Sequence, residues 1–306
     1  MAIPVILDCD TGTDDAVAIM LAALHPDLDL LGVTTVWGNH DIAHTTDNTL
    51  RVLDHVGRGA VPVHAGADGP FRSRIAPLPG GRPDLAPVLD LPAPRGVAGE
   101  GTAVEWLVQT LRAATEPVCV VSTGPLTNIA AAVTADPGIV GAVDRLVVLG
   151  GTHRAPGVTA HAERNVWCDP EAAAVVLAAG FPRLTMVGMD ATRAAPFTTE
   201  DAVALAVRGS PAGTAAARFV VERIAHYRAD PAMAALSAAP LHDPLAVACL
   251  LDPEVVRTVP ASCLVETTDP TTYGATRYRL DADGATLDVA LDTDHARYRA
   301  LLIQTL

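Results

Sequence analysis

The chain has 306 residues, half of them apolar, and a formal net charge of -14. This size and apolar content suit one large α/β unit, and the charge argues against nucleic acid or an anionic membrane as partner. All 21 basic residues are arginine, which excludes Schiff-base catalysis and the P-loop, both of which need a lysine.

Pro4 to Asp8 reads as a first strand. The opening segment has no basic n-region and reaches acidic residues at once, so it is not read as a signal peptide. No apolar run is long enough to span a bilayer, and the expectation is a cytoplasmic protein. Asp14 to Leu24 then reads as a helix, Leu30 to Val36 as a strand, Ile42 to Val56 as a helix and Val61 to His64 as a short strand. Pro70 to Gly99, rich in Pro, Gly and Arg, reads as a long surface loop. Beyond it come a strand at Val118 to Ser122, a helix at Pro125 to Thr134 and a strand at Arg145 to Leu149. A helix at Pro170 to Ala179 and a strand at Leu184 to Gly188 follow. Glu200 to Leu251 reads as helical, Val255 to Ala290 carries short strand signals, and the C-terminus reads as a helix. Alternating β and α segments with continuously apolar strands predict an open, mostly parallel sheet covered by helices on both faces. A C-terminal helical and hairpin elaboration completes a single domain over residues 1–306. The five cysteines form no C-x-x-C pair and mostly sit in apolar runs, as small core residues do.

The segment Ile6-Leu-Asp-Cys-Asp-Thr-Gly-Thr-Asp-Asp15 crowds four carboxylates where the first strand turns into a helix. Ligands of open α/β sheets bind at such strand ends, and crowded acids repel one another unless a cation joins them. Hard oxygen donors suit Ca²⁺ or Mg²⁺ and not zinc. Asp14 and Asp15 also favour a helix N-terminus through its dipole, but that does not account for Asp8 and Asp10. An EF-hand loop counted from Asp8 would need Gly where Thr13 stands. A haloacid-dehalogenase-type phosphatase would lack Thr11 before Gly12 and would carry a lysine.

The stretch from Asp8 to Ile19 resembles the signature of the inosine-uridine nucleoside hydrolases. Four further segments match in order: Thr34-Thr-Val-Trp-Gly-Asn39, Thr123-Gly-Pro-Leu-Thr-Asn128, Glu163-Arg-Asn165 with Asp169-Pro-Glu171, and His242-Asp-Pro244. The resemblance implies the nucleoside hydrolase fold and Ca²⁺-dependent cleavage of ribonucleosides to ribose and free base. It implies Ca²⁺ held by Asp10, Asp15, the Thr123 carbonyl and Asp243, with Asp8 orienting these ligands. Asp10 would also activate the attacking water. Asp14, Asn39, Glu163, Asn165 and the backbone near Leu149 would bind the ribose. His242 is the candidate general acid for the leaving base, although a histidine before Asp-Pro can equally cap or pack. The family also implies a homodimer or homotetramer.

The sequence departs from the family pattern at several points. Thr11 stands for a usual Pro, Leu149 for Met and Arg164 for Phe. Gly157 stands for an asparagine that contacts the ribose 5'-hydroxyl, and Gly80-Gly-Arg-Pro-Asp-Leu85 lacks a usual histidine. Gly157 and Arg164 together suggest a substrate modified at the 5'-position, against a structural ion pair as the plainer role of Arg164. Arg223 and Tyr227 fall on the helix before His242, a region placed to fold over the base, but as periodic helix residues they can equally pack or face solvent, and they receive no catalytic role. The alternatives are a nucleoside-binding protein without turnover and a metal-dependent phosphohydrolase.

Overall fold

Runs of β-branched and aliphatic residues become the strands of the computed structural model, which describes residues 2–72, 86–229, 235–281 and 283–306. Strand β1 (Ile3–Cys9) leads into α1 (Thr13–Leu24), β2 (Leu28–Thr35), α2 (Ile42–His55) and β3 (Val63–Ala65). Next come α3 (Ala103–Ala113), β4 (Val118–Ser122), α4 (Thr127–Ala135), β5 (Val143–Leu149), α5 (Arg164–Cys168) and α6 (Pro170–Ala178). They are followed by β6 (Leu184–Val187), α7 (Met189–Thr192), β7 (Pro196–Thr198), α8 (Thr199–Ala206) and α9 (Pro211–Ala229). The chain ends with β8 (Ala238–Pro240), α10 (Asp243–Leu251), β9 (Val256–Val265), β10 (Thr276–Leu280), β11 (Leu287–Thr293) and α11 (His295–Thr305).

Among the described residues, nine strands form one sheet in the order β10-β9-β11-β6-β5-β4-β1-β2-β3. Pairing is parallel from β11 through to β3. The C-terminal hairpin β9–β10 is antiparallel and joins this sheet through β11. Strands β7 and β8 form a separate two-stranded ribbon. Side chains alternate across a strand, and the two cores follow that alternation. Val5, Leu7 and Cys9 of β1 pack with Val121, Val147 and α1, α9 and α10. Ile6 packs with Val120, Leu146, Val148 and α3, α4 and α6 on the opposite face. The chain runs from β1 outward to β3 and then returns to β4 on the other side of β1, so the strand order reverses between β1 and β4. That is the switch point where open α/β sheets bind ligands.

The structure adds elements to the sequence reading. Helix α3 was not anticipated, and the stretch from Glu200 to Leu251 is interrupted by β8. Residues 86–99 of the long connection carry no helix or strand, yet Leu89 and Leu91 are buried; the departure noted at Gly80 to Leu85 lies outside the described residues. Four cysteines are buried and Cys263 is half-buried, all of them free. Among the described residues, no helix is long and apolar enough to cross a membrane.

Candidate active site

The end of β1 delivers Asp8 and Asp10, and the turn through Thr11 and Gly12 places Asp14 and Asp15 in the first turn of α1. All four are buried. Asp8 points into the sheet. Its Oδ1 accepts from Thr34 Oγ1 and Asn128 Nδ2, both at 2.7 Å, and Ser122 Oγ donates to Oδ2 at 3.4 Å. It thus ties β1 to β2, β4 and α4 beneath the site. Burial pushes its carboxyl up to about 6 even against these donors.

Asp10 lines a cavity of about 570 Å³, a size that suits a small-molecule ligand. The Asn39 N–H donates to Asp10 Oδ2 at 2.6 Å, and Asn39 Nδ2 donates to Asp10 O at 3.2 Å and Asp15 Oδ2 at 3.3 Å. This approach needs a residue without a side chain just before Asn39: a Cβ on Gly38 would lie 2.2 Å from Asp10 Oδ2. Asp15 also accepts from Gly12 N at 2.9 Å and from Thr123 Oγ1 at 2.7 Å. The N-terminus of α10 brings in Asp243. Carboxylate oxygens of Asp14, Asp15 and Asp243 all lie within 4.8 Å of one another. Asp10 is outside that tight group, although its charge reaches it. Burial first, then the mutual charges, hold Asp10 and Asp243 well above the usual carboxylate range and push Asp15 up to about 6.

On the next wall, Glu163 caps α5. Its Oε1 accepts from Asn165 N at 2.9 Å, and its Oε2 accepts from Gly151 N at 3.1 Å and Val166 N at 3.2 Å. Asn165 Nδ2 donates to the Thr123 carbonyl at 2.7 Å and the Leu149 carbonyl at 3.2 Å, which joins the ends of β4 and β5. Glu163, Asn165, Leu149, Thr123 and Arg164 all line the cavity. Arg164 is half-buried and its charge favours ionised Asp10 and Glu163. A Cβ on Gly157 would lie 2.0 Å from the Ala162 carbonyl oxygen, so this loop has no room for the asparagine of the family pattern. Asp169 faces away from this chemistry: it caps α6 through Ala172 N and accepts from Thr127 Oγ1 and Phe71 N, both at 2.7 Å.

The remaining wall holds His242. Its Nδ1 lies 2.8 Å from Thr192 Oγ1 and its Nε2 lies 3.1 Å from Tyr227 Oη. Arg223, buried one turn before Tyr227, places Nη1 at 2.9 Å from Asp14 Oδ1. Burial works against the Arg223 charge, but Asp14 foremost, with Tyr227, Asp243 and Asp15, offsets this and keeps the guanidinium charged. Every residue assigned from the sequence to metal, water or ribose therefore meets at this switch point. Thr192, Arg223 and Tyr227 belong to the same wall without having been assigned there. The sequence signal for Arg223 and Tyr227 was their place on the helix before His242; Thr192 had none.

A sequence profile described as inosine-uridine preferring nucleoside hydrolase matches residues 5–300. The chain belongs to this family. Among curated relatives it is 37% identical to the pyrimidine-specific ribonucleoside hydrolase RihA of Escherichia coli, over 100% of this chain and 99% of that one. Among solved structures it is similar to a purine-preferring ribonucleoside hydrolase from Gardnerella vaginalis (TM-score 0.88, 29% identity, covering 99% of this chain and 97% of that one). A plant nucleoside hydrolase superposes with a TM-score of 0.87 at 28% identity, covering 100% and 99% of the two chains. The chain is an enzyme of the N-glycosyl hydrolase class, and its family is metal-dependent.

Proposed function

We propose that the chain, acting as one unit, hydrolyses ribonucleosides to ribose and free base in a Ca²⁺-dependent reaction, with pyrimidine ribonucleosides as preferred substrates. The observation that carries this reading is one cavity lined by Asp10, Asp14 and Asp243 on one side and by His242 with Tyr227 on the other. The base preference rests on the full-length similarity to RihA.

The donor set fits a hard divalent cation. Asp10, Asp15, Asp243 and the Thr123 carbonyl are the ligands we assign to it. They are buried oxygens, and burial first, then the mutual charges, raise their carboxyl pKa values, both of which a bound dication offsets. A cation held by these ligands would lower the pKa of a bound water and help hold the ribose hydroxyls. Asp10 takes the proton of the attacking water, its carboxylate steadied by the Asn39 N–H. Asp14, Asn39, Glu163 and Asn165, with the backbone at Leu149, hold the sugar. Groups built to bind hydroxyls are left unpaired by a sugar that lacks them, so ribonucleosides are favoured over 2'-deoxyribonucleosides. The anionic wall also stabilises the positive charge that develops on the ribose ring as the bond breaks. On the base side, Thr192 fixes His242 Nδ1. The Nε2 end, with the Tyr227 phenol, donates a proton to the departing nitrogen.

The test is release of free base, followed by HPLC, from a panel of purine and pyrimidine ribonucleosides with and without chelator. Chelator-sensitive release, restored by Ca²⁺ and greatest for pyrimidines, is the expected result. Tight nucleoside binding without release would replace the reading with a binding role. Release of inorganic phosphate from phosphate esters in place of base would replace it with phosphohydrolysis.

A further inference from the structure

One turn of α9 reaches both walls of the cavity. Arg223 and Tyr227 stand four residues apart and share a helix face. Tyr227 meets His242, while Arg223 is fixed by three contacts. Its Nη1 pairs with Asp14 Oδ1 at 2.9 Å, its Nε donates to the Pro240 carbonyl at 2.9 Å, and its guanidinium lies 5.9 Å from the centre of the Tyr227 ring. Only 7% of the residue is exposed. A guanidinium so deeply buried is tolerated only when it is paired and hydrogen-bonded.

The partner it has chosen is informative. Asp14 offers an oxygen within the same 4.8 Å group as Asp15 and Asp243, so on position alone it competes to be a cation ligand. Asp10 and Asp15 are steadied by neutral donors: Asn39 N for Asp10, and Gly12 N and Thr123 Oγ1 for Asp15. Those donors leave the negative charge available to a cation. Asp14 is bound by a full positive charge, which makes it a poorer cation ligand and leaves it a good hydrogen-bond acceptor.

We infer that Arg223 is a positioning residue that withholds Asp14 from the cation and reserves it for a ribose hydroxyl. This rests on the nucleosidase reading above. It gives α9 two tasks from one turn, setting the sugar acceptor through Arg223 and the leaving-group imidazole through Tyr227.

The experiment compares wild type, Arg223→Met and Arg223→Lys. Two quantities are read in each: kcat/KM for a ribonucleoside against its 2'-deoxy and 3'-deoxy forms, and Ca²⁺ affinity by calorimetry without substrate. In Arg223→Met the preference for the ribonucleoside over one of the deoxy forms falls by about tenfold or more, the size of a lost hydrogen bond to a charged group. Its Ca²⁺ affinity is tighter, because Asp14 is released to the cation; an affinity equal to wild type overturns the inference. Arg223→Lys restores part of the sugar preference. A merely structural role predicts the opposite pattern, with weaker Ca²⁺ binding and equal losses on all sugars; either of these in folded Arg223→Met overturns the inference. If Arg223→Met does not fold, Arg223→Lys decides alone: a sugar preference within about twofold of wild type together with weakened Ca²⁺ binding overturns it. Absence of base release by Ca²⁺-loaded wild type would instead sink the nucleosidase reading, and the calcium titration would still decide whether Arg223 keeps Asp14 from the cation.

Discussion

Gly38→Ala places one methyl group against the residue that, in the proposed reaction, takes the proton from water. The added Cβ would stand 2.2 Å from Asp10 Oδ2, 2.9 Å from its Cγ and 3.0 Å from its Cβ. Relief to van der Waals distance requires a shift on the order of 1 Å. The carboxylate has little freedom to make it, because the Asn39 N–H holds Oδ2 at 2.6 Å and Asp10 is 1% exposed. Either Asp10 turns away and loses a charge-assisted hydrogen bond worth about 1.5–3 kcal/mol, or the Trp37–Asn39 loop withdraws with it. A displacement of that size at a reacting group costs about a hundredfold in rate. Steady-state base release under saturating Ca²⁺ should therefore show kcat/KM lower by about two orders of magnitude, alongside weakened Ca²⁺ binding and a modest fall in Tm. A Gly38→Ala protein with wild-type Ca²⁺ affinity and kcat/KM within about threefold of the parent would refute the placement of Asp10 at the reacting centre.

Three further outcomes follow from the site. In metal-depleted protein, stability should fall as pH rises through about 6: Asp8 binds its proton more tightly folded, at about 6, than at its ordinary value of 3.8. Between those values the native state therefore holds more protons than the unfolded one; the share of Asp8 in the loss approaches about 3 kcal/mol above the window, and Asp15, Asp10 and Asp243, raised likewise, add to it. Thermal unfolding from pH 4 to 7 should show this fall in chelator and its suppression by Ca²⁺; a flat chelator curve would contradict it. His242→Ala should lower kcat by about 10²–10⁴-fold on natural ribonucleosides, and Tyr227→Phe by less. The loss should shrink on an aryl riboside whose leaving group needs no proton, and an equal loss on both substrates would exclude proton donation from this pair. Gly157 and Arg164 predict that ribonucleoside 5'-phosphates are cleaved no worse than the parent nucleosides, and that Arg164→Ala selectively impairs the phosphates. Poorer cleavage of every 5'-modified substrate by wild type would dismiss this role for Arg164.

The acid cluster was legible because its physics is local. A strand that ends in Asp8 and Asp10 and a helix that begins with Asp14 and Asp15 must bring these carboxylates close, whatever the rest of the chain does. Asp243 and Asn165 came instead through resemblance, since no local rule brings α10 or α5 to the end of β1. Arg223 and Tyr227 stayed unassigned for the same reason: pairs such as Arg223–Asp14 exist only once α9 packs across the site. Helix α3 was hidden behind a Pro- and Gly-rich stretch, yet its start was written in the chain. Thr102 accepts from Glu105 N, and Glu105 answers to Thr102 N, a capping box that the Thr-x-x-Glu spacing announces. The Asp169-Pro-Glu171 segment shows the reverse error open to motif reading. It travels with the site in sequence and serves as a helix cap in space.

The division of labour between β1 and α9 also decides where this scaffold can be rebuilt. Strand β1 is pressed between two cores, and a slip of one residue would exchange Ile6 with Leu7 and carry Asp8 and Asp10 to the wrong faces. Helix α9 keeps one side in solvent and presents Arg223, His226 and Tyr227 to the cavity. A library aimed at new leaving groups therefore belongs on α9 at the half-buried His226 and Tyr227, with the buried Arg223 kept. A library on β1 would mostly return unfolded chains.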